Sequence, residues 1–172
     1  VRDPLLYYDN NINSLISLLS AIRKTNCKNL VFSSSASLYA QNNNNEYAYS
    51  EDDSVECTNP YAETKYLCEK LIIDCALSCE LNYSILRYFN PAGSHESNFI
   101  SEEAGNSPQN LFPYIIQVLL DNQKYVRVFG DDYTTSDGSG VRDYIHISDL
   151  VDGHISALTI MKHKKLNNII NL

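Results

Sequence analysis

Tyr61 and Lys65, and again Tyr66 and Lys70, stand four residues apart in the stretch NPYAETKYLCEK, residues 59–70. A phenol and an ammonium at that spacing share one face of a helix and can work as an acid–base pair. An unperturbed phenol, with a pKa of about 10, is too weakly ionised to be a base at neutral pH. A unit charge about 4–5 Å away, at an effective dielectric near 20, is worth roughly 3–4 kcal/mol. That is enough to bring the phenol toward neutrality, where general acid–base catalysis works best. The pattern is short, however, and with 13 tyrosines in the chain on the order of 0.6 matches arise by chance. Position separates the copies. Asn59 and Pro60 read as an N-cap and a first-turn proline, so a helix is expected to start at Tyr61. Tyr61 then sits beside the loop region where a substrate could lie. Tyr66, roughly 140° further round the helix, is expected to pack, with Lys70 as a solvated tail.

Ser35 follows the apolar run NLVF (29–32) and could hold the same substrate hydroxyl as Tyr61. The alternative for Ser33–Ser35 is a strand-end turn that satisfies its own backbone.

The elements that must position these groups alternate along the chain. Ile12, Leu15, Ile16, Leu19 and Ile22 recur at helical spacing and predict an amphipathic helix over 10–24. NLVF predicts a buried strand, and YSILRYF (83–89) a second, stopped by Asn90-Pro91-Ala92-Gly93. QNNNN (41–45) and residues 94–110 read as polar loops. FPYIIQVLLDN predicts a helix, YVRVFG (125–130) a strand, and DDYTTSDGSG a long turn-rich loop. Ser148 is a candidate cap for a last helix through His163, and NNIINL ends as a strand. Strands alternating with helices, with polar residues at strand C-terminal ends, predict an α/β fold with a parallel sheet. In such sheets ligands bind beyond those ends.

At 172 residues with 44% hydrophobic and 20% charged residues, the composition is that of a globular domain. The net charge of −8 argues against broad contact with nucleic acid or an anionic membrane, though a few arginines can still serve an anionic small molecule. The longest apolar stretch is too short to span a bilayer, and VRDPLLYY lacks the pattern of a secretory signal. Five cysteines, an odd number, read as free thiols in a reducing compartment, hence the cytosol. Cys68, Cys75 and Cys79 share a helical face; core thiols are favoured over a metal site, and no metal is expected. The sequon Asn82-Tyr83-Ser84 would then be idle. No Gly-x-Ser-x-Gly elbow is present, which argues against a hydrolase.

A serine after a strand, then Tyr-x-x-x-Lys about 25 residues on, resembles the extended short-chain dehydrogenase/reductase family. Within it, the stretches YYDNN (7–11), FSSSASLY (32–39), NPYAETK (59–65), LRYFNPAGSH (86–95), NLFPYI (110–115) and FGDDYTTSDGSGVRDYIHISDL (129–150) resemble the epimerases that act at C4 of UDP-hexoses. The likeness runs over essentially the whole chain. It implies a Rossmann-like doubly wound parallel sheet with part of a smaller substrate domain. Residues 1–89 would belong to the NAD-binding domain, 90–148 mainly to the UDP-sugar segment, and 149–172 to a helix and strand returning to the first domain. It further implies a cytoplasmic, homodimeric isomerase of galactose metabolism. Such an enzyme interconverts UDP-glucose and UDP-galactose through a 4-keto sugar, with NAD as a retained hydride carrier. The dimer would form through helices like those at 10–24 and 61–79.

The resemblance also implies roles. Tyr61 would take the proton of the sugar 4-hydroxyl, Ser35 would share that hydrogen bond, and Lys65 would hold the nicotinamide ribose and depress the Tyr61 pKa. Asn10, Ser33, Tyr88 and Phe89 match cofactor-side positions, and Tyr88 and Phe89 also border the sugar. Asn90, Asn110, Leu111, Phe129 and Arg142 match the UDP-sugar side, with Ser37 and Arg127 lining the same pocket. Arg142 offers a planar fork suited to a diphosphate; an ion pair with Asp143 or Asp137 is the alternative. His146 and His154 read as core or helix-surface histidines.

Two other readings stay open: a sister NAD-dependent nucleotide-sugar epimerase, dehydratase or decarboxylase, and a relic that binds nucleotide sugar without chemistry. A dehydratase would carry an acidic pair where this chain has Ser35-Ala36-Ser37. The family begins with a strand, a Gly-rich turn and a helix that cradle the pyrophosphate. No such run occurs among the six glycines here. The chain is therefore expected to be the middle of an enzyme of roughly 340 residues, inactive by itself, with a sheet edge left open.

Overall fold

Asn59 begins the central helix as a cap should: its backbone is extended and its side-chain oxygen accepts from the Ala62 amide at 3.0 Å. Pro60 occupies the first helical position, where a missing N–H costs nothing. In the computed structural model, which describes residues 3–39, 48–97, 99–100 and 110–172, this helix, α3, runs Pro60–Cys79. It ends at Glu80, held left-handed at φ 53°.

Chain order before it is α1 (Pro4–Tyr8), a π-helical turn (Asp9–Asn13), α2 (Ser14–Ile22), β1 (Asn29–Ser33) and a 3-10 turn (Ala36–Leu38). After it come β2 (Asn82–Arg87), β3 (Asn90–Ala92), α4 (Leu111–Leu119), β4 (Tyr144–His146), α5 (Ile147–Met161) and β5 (Asn167–Asn171). The main sheet has the order β1-β2-β5, all parallel, with Leu30 beside Tyr83 and Ile85 beside Ile169. A second small sheet pairs β3 with β4 in parallel.

The core lies between α2, α3 and one face of the main sheet. Leu15, Leu19 and Ile22 meet Cys68, Ile72 and Ala76 over Leu81 and Ile85. Fully burying such side chains is worth roughly 1.5–3 kcal/mol each. The opposite face belongs to α5, whose His154 reaches Ser33 on β1.

Several sequence expectations are corrected. The first helix begins at Pro4 rather than residue 10, because Asp3 accepts from the Leu6 amide and caps it. Residues 125–130 form no strand; YVRVFG is largely exposed, and a strand needs a partner backbone that no described element gives it. The last helix is capped by the His146 ring, which accepts from the Ser148 amide at 3.2 Å, and it ends at Met161. Gly93 closes β3 at φ +92°, where a Cβ would run into the His146 imidazole. Of the three cysteines on one face, Cys68 is buried and joins the core, whereas Cys75 and Cys79 are half-buried. The QNNNN stretch and residues 101–109 lie outside the described residues.

Candidate active site

The carboxyl ends of β1 and β2 carry the candidate groups. Ser35 is extended, at φ −151° and ψ 143°, and caps the following 3-10 turn by accepting from the Ser37 amide at 3.2 Å. Its hydroxyl also pairs with that of Ser37 at 2.9 Å. The turn alternative and the catalytic reading for Ser35 are thus compatible, because the same side chain lies close enough to the Tyr61 phenol to favour its ionised form. Tyr61 stands in the first turn of α3, and the ring of Tyr7 from α1 meets it edge-on at 6.0 Å.

Burial pushes the Tyr61 phenol above its ordinary pKa; the Ser35 hydrogen bond acts in the opposite direction, while Tyr88 and Tyr7 add to the rise. The Lys65 ammonium donates to the Ser33 carbonyl at 2.9 Å and lies 5.8 Å from the Tyr61 ring centroid and 5.2 Å from that of Phe32. Its charge is bound to a backbone carbonyl, and its own burial holds its pKa below the usual lysine value. Lys70, by contrast, is exposed and lies 4.4 Å from the Tyr66 ring centroid, away from Ser35.

Ser33 is held twice, its carbonyl by Lys65 and its hydroxyl by His154 Nε2 at 2.9 Å. His154 Nδ1 donates to the Leu150 carbonyl at 2.8 Å, so Nε2 of the neutral ring accepts from Ser33. The Tyr88 ring lies 6.3 Å from that imidazole. Asn10 is exposed within the π-helical turn, while its neighbour Asn11 donates to the Thr64 hydroxyl at 2.8 Å, pinning that turn to α3.

Tyr88, Phe89 and Asn90 follow β2 without a break, and Asn90 is fixed by donating to the Asp143 carbonyl at 2.8 Å. Asn110 and Leu111 open α4, whose Phe112 meets Tyr144 edge-on at 5.2 Å. Arg127 and Phe129 are exposed, Phe129 by 81%, and no hydrogen bond, ion pair or ring contact joins them to the Tyr61 cluster. Arg142 donates to the Val141 carbonyl at 2.7 Å and forms no ion pair with Asp143 or Asp137. Asp137 is instead taken up by the amide and hydroxyl of Ser139, at 2.9 and 2.8 Å. The structure thus gathers Ser33, Ser35, Ser37, Tyr61, Lys65 and Tyr88 and leaves the arginines apart. Two open clefts, of about 420 and 510 Å³, lie at the other end of the sheet around Lys28 and Glu80.

Sequence reasoning passed over Ser34, Glu69, Asn11 and Tyr7. Glu69 carried a usable signal, a carboxylate set among Leu67, Cys68, Leu71 and Ile72.

A parallel sheet with a serine, a tyrosine and a lysine gathered at its carboxyl end defines a Rossmann-like fold of the short-chain dehydrogenase/reductase type. The profile of the NAD dependent epimerase/dehydratase family matches residues 1–172, and the chain belongs to that family. It is 45% identical over 168 residues to UDP-glucose 4-epimerase 2 of Arabidopsis thaliana, covering 97% of this chain and 47% of the relative. It is likewise 45% identical over 167 residues to the UDP-glucose 4-epimerase of Mus musculus, covering 95% and 47%. Among solved structures, it is similar to a UDP-glucose-4-epimerase from Stenotrophomonas maltophila with bound NAD and formylated UDP-arabinopyranose. The TM-score is 0.91 at 42% identity, over 98% of this chain and 50% of that one. The chain spans about half the length of the relatives it matches.

Proposed function

We propose that these 172 residues are part of a cytoplasmic, NAD-dependent UDP-glucose 4-epimerase that interconverts UDP-glucose and UDP-galactose in galactose metabolism. The single observation that carries the reading is the placement of the Ser35 side chain close enough to the half-buried Tyr61 phenol, at the carboxyl end of the parallel sheet, to favour its ionised form. In this reading Tyr61 removes the proton of the sugar 4-hydroxyl and later returns one, while Ser35 orients that hydroxyl. Tyr88 and Phe89 border the sugar, Asn90, Asn110, Leu111 and Ser37 line its side of the site, and Arg127, Phe129 and Arg142 serve the UDP moiety.

The donor set fits NAD. An ammonium has three donors and the Ser33 carbonyl takes one, so Lys65 retains two for a ribose diol. Asn10, Ser33, Tyr88 and Phe89 complete the cofactor side. NAD, when bound, supplies reversible hydride exchange with sugar C4.

The proposal divides the chain at 1–89 for nucleotide binding, 90–148 for the UDP-sugar segment and 149–172 for the return. The separation of the small β3–β4 sheet from the main sheet, and the return of β5 to β2, support that division. β1 pairs only with β2 among the described residues, which leaves an edge for further strands of a longer enzyme. Ile16, Leu18 and Leu77, exposed on α2 and α3, suit a homodimer through those helices.

The test uses the complete parent protein with UDP-galactose and no added NAD, alongside Tyr61→Phe. The expected result is UDP-glucose formation that collapses in the variant. No conversion by protein shown to contain NAD would overturn the reading in favour of a sister nucleotide-sugar enzyme. Residues 1–172 expressed alone are expected to give no turnover even with added NAD.

A further inference from the structure

A buried polar network runs behind the candidate site, and the proposed chemistry does not use it. Glu69 is 1% exposed and Arg87 3%. The carboxylate accepts from Arg87 twice, Nε to Oε1 at 3.0 Å and Nη2 to Oε2 at 2.6 Å. Arg87 Nη1 donates to the Tyr39 hydroxyl at 3.0 Å, and that hydroxyl donates to Asn171 Oδ1 at 2.7 Å. A bidentate guanidinium already satisfies the ion pair. Oε1 nevertheless accepts one bond more, from the hydroxyl of the fully buried Ser34. That bond ties the end of β1 to α3.

Ser33 and Ser34 point to opposite faces of the sheet, and Ser35 turns back to the α3 side beyond the strand end. Ser33 turns to α5 and His154, Ser34 turns to α3 and Glu69, and Ser35 reaches the Tyr61 phenol. Tyr61 and Glu69 belong to the same helix, about two turns apart. We infer that Glu69, acting through the Ser34 hydroxyl, is the positioning residue that holds Ser35 against Tyr61. The Glu69–Ser34 bond and the approach of Ser35 to Tyr61 close a frame in which α3 carries both anchors. A small slide of the helix along the sheet then moves the serines with it. The ion pair with Arg87 keeps the Glu69 carboxylate charged and fixed in orientation.

The inference rests on the proposed role of Tyr61, and its test separates the two. In the complete, NAD-loaded parent protein, Ser34→Ala removes the frame bond and leaves the Arg87 pair intact. Ser34→Cys, close to serine in volume and a weak donor, is the second variant. Both are expected to lower kcat on the order of tenfold at nearly unchanged KM, because a loosened reacting geometry is felt in rate. In a Ser35→Ala background, Ser34→Ala is expected to cause no further loss, since the two substitutions remove one pathway. An equal loss in both backgrounds, or a kcat within about twofold of wild type, would overturn the inference.

A readout without turnover is the phenolate absorbance of Tyr61, taken as the difference between each protein and its Tyr61→Phe counterpart. The groups facing this phenol are Tyr7 from α1, Tyr88 beyond β2, Lys65 on α3 and Ser35. Ser34→Ala is expected to move the titration to higher pH, as Ser35→Ala does, and the double variant no further. An unmoved titration overturns the positioning role. If the titration moves but wild type leaves UDP-galactose unconverted, the functional reading falls and the positioning role stands.

Discussion

The Lys65 ammonium passes the Tyr61 ring, 5.8 Å from its centroid, and docks on the carbonyl of Ser33 at 2.9 Å. The group that favours the phenolate directly is Ser35. Burial raises the phenol and lowers the ammonium, so each is biased toward its neutral form. The hydrogen bond from Ser35 favours the phenolate; without it the phenol pKa rises, and at any given pH less base is present. In the complete enzyme, Ser35→Ala is expected to shift the acid limb of kcat/KM to higher pH, measured across neutral and alkaline conditions. A limb that stays in place would show that Ser35 only binds substrate.

The two Tyr-x-x-x-Lys copies predict opposite results. Tyr61→Phe removes a general base and is expected to lower kcat by about 10²–10⁴-fold. Tyr66, facing Lys70 at the surface of α3, is expected to tolerate phenylalanine with kcat within about threefold of wild type. Steady-state kinetics on the two variants, side by side, checks both.

The Glu69–Arg87 pair is predicted to be a point of fragility. Glu69→Ala leaves a guanidinium that is 3% exposed without its carboxylate, at an expected cost of about 3–5 kcal/mol. Asn59→Ala removes one capping bond and is expected to cost about 1 kcal/mol. Urea denaturation of the parent protein ranks the two, and equal losses would contradict the burial argument.

The thiols should separate by environment. Cys27 is exposed, whereas Cys68 is buried with its pKa pushed up to about 11, chiefly by burial. The thiolate is the reactive form, so Cys68 gains reactivity only as pH climbs toward that value. With a thiol reagent at mildly alkaline pH, mass spectrometry is expected to find Cys27 labelled first and Cys68 protected until denaturant is added. Early labelling of Cys68 would mean that α2 and α3 part readily.

Local chemistry made the start of α3 legible, because Asn59 and Pro60 specify it within four residues. NLVF was equally plain, a short apolar run that pairs residue by residue with β2. YVRVFG has the same composition of β-formers, yet a strand exists only where another backbone meets it, and composition does not carry that information. The β3–β4 pairing was hidden for the same reason: it joins Asn90 to Tyr144 across more than fifty positions through three-residue strands. At the site, spacing alone left Ser35, Tyr61 and Lys65 as candidates beside a turn and ordinary helix side chains, and it was the family resemblance that singled them out. The direction of the Lys65 ammonium was not readable, because the Ser33 carbonyl that captures it is a backbone group that any residue could present. Glu69 stands out as a carboxylate among apolar residues, but its partnership with Ser34 stayed out of sight because it is tertiary.

The π-helical turn at Asp9–Asn13 sets the angular phase of everything before it. Each residue of an α-helix advances the chain by about 100°, whereas a π-helical turn spreads one residue more over each turn, so the same five residues wound as ordinary α-helix would swing Pro4–Tyr8 round the axis by nearly that angle. Tyr7 would leave the edge of the Tyr61 ring, and the base would lose an aromatic wall without a single residue of the site being altered. A change of winding far from the serines would thus be read at the phenol as a rotation.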